Sequence, residues 1–93
     1  MELEDKNTLK TFIDEIKEMK AKIETMKTKA EEISEAVNEE YDNKTDKWKE
    51  SDEGIAEETN VMAAASLATY LEDAITAMES AISEIETITN DEL

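Results

Sequence analysis

From Leu9 onward the apolar residues fall at Leu9, Phe12, Ile16, Met19, Ile23, Met26, Ala30, Ile33 and Val37. Steps of three and four alternate without a break, the spacing that places all of them on one stripe of a helix packed against another helix. Val37 is then followed after four residues by Tyr41, so two steps of four meet at Val37 and a stutter in the supercoil is expected there. Thr8, just before the run, is the expected N-cap, and Glu18 with Lys22 has the spacing of an exposed intrahelical pair.

A second run holds Leu67, Leu71, Ala74, Met78, Ala81, Ile85 and Ile88, widened on one flank by Ile75 and Ile82. A stripe that broad, with alanines in it, suits a bundle core better than a two-stranded seam. Between the runs, Asp42 to Gly54 is rich in turn-favouring residues, so the chain is expected to reverse there. Ser51 would cap the second helix, with Asp52 and Glu53 facing the helix dipole; Thr45 or Asp46 would end the bend earlier. The pattern predicts an all-α single domain over 1–93, a long antiparallel helical hairpin with helices over about 8–46 and 52–89 and a bend over about 42–54. Arms of that length span roughly 50 to 60 Å, and two helices alone cover each other poorly. Dimerisation into a four-helix bundle is the expected remedy.

Composition sharpens this picture. Only 39% of the residues are hydrophobic, there is no proline, and Gly54 is the one glycine, so helices run unbroken over a thin or shared core. Cysteine and histidine are absent, which removes disulfides, thiolate metal sites and the commonest general base. No enzymatic activity, cofactor or metal is expected. The acidic N-terminus resembles neither a signal nor a transit peptide, so a cytoplasmic location is expected.

Charge is the strongest functional signal. The net charge of −16 argues against direct contact with nucleic acid or an anionic membrane and points to a basic protein partner. Residues 1–29 hold seven acids and seven lysines, residues 30–60 twelve acids and three lysines, and residues 61–93 seven acids and no base. Folding at the bend concentrates the negative field at the hairpin tip, where Glu39, Glu40, Asp42, Asp46, Trp48, Glu50, Asp52, Glu53, Glu57 and Glu58 are the candidate partner-binding residues. Glu72, Glu79 and Glu86 recur every seven residues and would form a spaced acidic row. Such carboxylates are most often a solvated outer face. Ordered on a rod, they would also imitate the phosphate track of a duplex and occupy the nucleic-acid groove of a basic protein.

Other chemistry finds little support. Asp42, Asp46, Glu50 and Glu53 have the spacing of a calcium-binding EF-hand loop, but Lys44 occupies a ligand position and Lys47 stands where glycine is needed. Di-iron bundles need Glu-x-x-His pairs, and the sequon Asn43-Lys44-Thr45 carries no weight without a secretion signal. Trp48 is the one tryptophan, with Tyr41 and Tyr70 as its expected neighbours across the bend. The three would form a hydrophobic plug at the end of the bundle or, alternatively, an aromatic anchor for a partner.

The elements Tyr41-Asp42-Asn43 and Trp48-x-x-Ser51-x-x-Gly54, followed by an acidic helix rich in Ala, Ile and Leu, resemble small acidic hairpin proteins of bacteriophage and prophage genomes. The resemblance covers about residues 35–88 and implies a phage accessory protein, a setting in which inhibitors of host factors and nucleic-acid mimics occur. A phage structural or assembly protein is the alternative. The chain is also similar in length, helix number and bend tryptophan to the secreted WXG100 hairpins, but Trp48 is followed by Lys49 and Glu50, and Ala74 stands where that family's trailing signal carries an acid.

Overall fold

The computed structural model describes residues 1–90. Two long helices, α1 (Leu3–Asp42) and α3 (Asp52–Thr89), are joined through a one-turn helix, α2 (Asp46–Lys49). Lys27 of α1 meets Glu72 of α3, and Asn38 shares a groove with Val61, so the long helices run antiparallel in a rod of 67 × 19 × 16 Å. No helix is long and apolar enough to cross a membrane among the described residues.

α1 starts at Leu3, not near Thr8. Glu4 and Asp5 lie in its first turn, where the helix dipole favours carboxylates, and the Thr8 hydroxyl donates back to the Glu4 carbonyl at 3.0 Å instead of capping. The helix ends at Asp42 rather than at residue 46, because Thr45 is extended and caps α2, accepting from the Trp48 N–H at 3.2 Å. Two of the three candidate caps in the bend are therefore used: Thr45 begins α2, of which Asp46 is the first residue, and Ser51 begins α3 by accepting from the Gly54 N–H at 3.2 Å. Lys20–Glu24 and Lys29–Glu32 form intrahelical ion pairs on α1, in place of the expected Glu18–Lys22 among the described residues.

The seam between the helices is shifted from the stripe read in the sequence. On α1 the covered positions are Lys6, Leu9, Ile13, Ile16, Lys20, Ile23, Lys27, Ala30, Ser34, Val37 and Tyr41. On α3 they are Gly54, Glu57, Val61, Ala64, Ala68, Leu71, Ile75, Met78, Ile82, Ile85 and Thr89, with Ala74 half-buried beside this line. Steps of three and four alternate along both lists, so the expected stutter at Val37 is absent: Ser34, not Ile33, occupies the seam. Phe12, Met19, Met26 and Ile33 lie outside it, 44% to 55% exposed, as do Leu67 at 52% and Ile88 at 46%. Ile75 and Ile82, read as a flank, are core with Ile85 and Ala30.

The reason is geometric. Two helices bury one line of contact, while each of these stripes is wide enough for two. The line facing the partner helix includes Lys20 and Lys27, whose aliphatic stems cover α3 while the Lys27 ammonium reaches Glu72 at 2.5 Å. Three isoleucines and an alanine are a thin core for so long a rod.

Candidate functional site at the hairpin tip

The last turn of α1 carries Glu39, Glu40 and Asp42, and it contains no basic residue. Its carbonyls are closed by the Asn43 N–H to Glu39 and the Lys44 N–H to Tyr41, at 3.1 and 3.0 Å. Carboxylates at this negative end of the helix dipole are electrostatically disfavoured. Asp46 opens α2, Glu50 is its C-cap, and Asp52 and Glu53 fill the first turn of α3, where the dipole favours them. Glu57 and Glu58 follow one turn later.

The turn is held by the Trp48-x-x-Ser51-x-x-Gly54 sequence itself. Ser51 Oγ donates to the Trp48 carbonyl while accepting from the Gly54 N–H, which ties the end of α2 to the start of α3. Gly54 is buried, and a β-carbon there would meet the backbone of Trp48 and Lys49. Trp48 is half-buried and meets Tyr41 edge-on, with ring centroids 6.0 Å apart and planes at 65°. Lys44 sits 5.2 Å from the Trp48 ring centre and Lys49 5.2 Å from that of Tyr41. Tyr70 takes no part: it is 70% exposed on the outside of α3, so the expected three-ring plug is a two-ring contact flanked by two lysines.

Of the ten candidate residues, Glu40, Trp48 and Glu57 are brought together around a cleft of about 110 Å³, completed by Tyr41 and Lys44. Glu39, Asp42, Asp46, Glu50, Asp52, Glu53 and Glu58 are exposed around it. Asp42 accepts from Asn38 and Glu57 from Asn60, both at 3.4 Å. None of the tip carboxylates enters an ion pair among the described residues: Lys44 and Lys49 lie over the rings, and Lys47 is exposed on α2. The Tyr41 phenol is held above its ordinary pKa by desolvation first, then by the charges of Glu58 and Asp42.

Lys44 and Lys49 are the tip residues that sequence reasoning missed; Tyr41 was expected beside Trp48 and is found there. Lys44 had a role only as an interruption of a calcium loop and Lys49 only as a departure from the WXG100 pattern, whereas their spacing from the aromatics was the readable signal. The EF-hand spacing itself is taken up by helix: Asp46 and Glu50 bracket α2, and no group of three or more acids converges to hold a metal among the described residues.

Along the rod the acidic row is partly answered. Glu72 pairs with Lys27, whose pKa is raised mainly by that hydrogen bond. A shallow groove of about 330 Å³ lies nearer the tip, where Ser34, Val61, Ala65 and Ala68 leave room between the helices, rimmed by Glu31, Glu35 and Asn38. No family model, curated protein or solved structure matches the chain.

Proposed function

We propose that the chain is an acidic protein-binding module, a homodimeric four-helix bundle that docks its hairpin tips on a basic protein. The target that the charge fits is the nucleic-acid groove of a host regulatory or defence protein. In that role the chain is a phage-encoded inhibitor working in the cytoplasm as a nucleic-acid mimic. One observation carries the reading: Glu39, Glu40 and Asp42 crowd the negative end of α1, and among the described residues no lysine pairs with them. Carboxylates kept where they disfavour their own helix find their counter-charge in a partner. The two-ring contact of Tyr41 and Trp48 supplies a fixed centre within the field, so the tip presents its acids on a defined surface.

The test is capture of host proteins on the tagged chain, followed by binding measurements with the purified partner. The expected partner is a basic nucleic-acid-binding protein; binding weakens steeply with salt, and duplex DNA competes for it. Neutral substitution of Glu39, Glu40, Asp46, Glu50, Glu53 and Glu57 abolishes capture. Equal treatment of Glu2, Glu4, Asp5, Asp14, Glu15 and Glu18 leaves it intact, because lysines already cancel the field of that region. If both sets behave alike, or binding survives both while Trp48→Ala abolishes it, recognition is hydrophobic at the bend and the mimic reading is wrong.

The exposed apolar residues along the rod favour a second reading, a phage structural or assembly protein. Assemblies larger than a dimer, insensitive to the tip substitutions, would decide for it.

A further inference from the structure

The residues just before the seam positions Ile13, Lys20, Lys27 and Ser34 are Phe12, Met19, Met26 and Ile33. Those just before Ala68, Ile75, Ile82 and Thr89 are Leu67, Ala74, Ala81 and Ile88. In an antiparallel pair these two rows fall on the same side of the seam, while the residues following the other seam positions fall on the opposite side. The opposite side is polar apart from Ala65, with Lys10, Lys17, Glu24, Glu31 and Asn38 on α1 and Glu58, Glu72, Glu79 and Glu86 on α3. One long face of the hairpin is therefore apolar and, apart from half-buried Ala74, uncovered, and the other is mostly charged.

With Lys27 level with Glu72 and Asn38 level with Val61, Phe12 stands beside Ile88, Met19 beside Ala81, Met26 beside Ala74 and Ile33 beside Leu67. Both rows are thus centred at one level, between Met19 and Met26 on α1 and between Ala74 and Ala81 on α3. We infer that a second copy of the chain covers this face, related by a two-fold axis through that centre, with the two acidic tips at opposite ends of the bundle. This deepens the dimeric module proposed above and rests on that reading.

Three features select the occupant and its direction. Rotation about the centre lays each row on its own copy, so that Phe12 and Ile88 of one chain meet Ile33 and Leu67 of the other; a face that matches itself this way needs no foreign partner. About 32 Å of helix, from Phe12 to Ile33, across the 19 Å width offers roughly 600 Å² per copy, at the lower bound of standard stable interfaces. Charge sets the direction, because tips at one end would place two clusters of twelve acids and three lysines side by side, whereas opposed tips separate them and bring Glu15 level with Lys29 of the second copy. The bundle then carries one acidic tip at each end.

Light scattering without any partner gives the mass, and spin labels on an Asp46→Cys variant give the distance between tips. The expected results are twice the chain mass at micromolar concentration and a label separation of roughly 65 Å, twice the helical rise from the centre to the tip. Met19→Glu with Met26→Glu gives a monomer, whereas Glu24→Ala with Glu79→Ala on the charged side leaves the dimer. A monomeric parent chain, a dimer that survives the methionine substitutions, or labels less than about half that distance apart each overturn the inference. If the methionine variant fails to fold, the label distance in the otherwise unaltered chain still decides. None of these outcomes tests partner capture, so tip binding stands or falls separately on the salt dependence and the tip variants.

Discussion

Gly54 packs its Cα against the backbone of Lys49 so closely that a β-carbon would stand 2.6 Å from the Lys49 Cα, and closer still to the Trp48 carbonyl oxygen. Neither neighbour is a flexible side-chain end, so Gly54→Ala must part α2 from α3. The expected loss is about 2 to 3 kcal/mol, seen as a lower melting temperature by circular dichroism. A melting point equal to that of the parent would mean that the turn is not packed in this way. Ser51→Ala removes the tie between the Trp48 carbonyl and the Gly54 N–H and is expected to cost about 1 kcal/mol.

Stability and binding should move in opposite directions at the end of α1. Glu39→Gln, Glu40→Gln and Asp42→Asn each remove a negative charge from the negative end of the helix and are expected to stabilise the chain by a few tenths of a kcal/mol. The same substitutions weaken capture of the basic partner. Thermal melts and binding isotherms on one set of variants check both; a triple variant that melts lower than the parent would contradict the dipole argument.

Alkaline titration reports the tip directly. In a Tyr70→Phe chain the remaining phenol is Tyr41, whose absorbance change should come above the ordinary value of 10.0. Because the folded value is raised, the stability tied to the neutral phenol is complete below the unfolded pKa and is lost as pH rises through the folded one. Glu58→Gln should move the titration back toward the ordinary value, and no movement would remove Glu58 from the field around Tyr41.

Calcium should act on this chain only as a screening ion. Asp46 and Glu50 are held at the two ends of α2 and Asp52 and Glu53 in the first turn of α3, so these acids cannot wrap a cation without unwinding helix. A saturable rise in melting temperature with calcium, absent with sodium at equal ionic strength, would show a site at the tip.

Much of the architecture was legible because it is local. The absence of proline, the regular apolar spacing and the turn-rich stretch before Gly54 specify two long helices and a reversal, and Ser51 is recognisable as a cap from its neighbours alone. Thr8 misled because threonine before an apolar run resembles a cap, whereas Glu4 and Asp5 let the helix begin a turn earlier. The gathering of acids at the tip followed from position in the chain once the reversal was placed.

Which residues form the seam was not local. On α1, Leu9, Ile16, Ile23, Ala30 and Val37 belong equally to a line with Phe12, Met19, Met26 and Ile33 and to a line with Ile13, Lys20, Lys27 and Ser34; sequence favours the first because it is more apolar. The tertiary structure chose the second, since α3 presents Ile75, Ile82 and Ile85 to it and Glu72 meets Lys27 there. In the same way the Trp48 neighbours were fixed by the turn through α2, which brings Tyr41 and Lys44 to the indole, sets Lys49 over Tyr41 and leaves Tyr70 outside. The sequence by itself determined the helices, the reversal and where the charge gathers; only tertiary packing decided which half of each wide stripe is buried and which is left open, because two helices bury one line and each of these carries two.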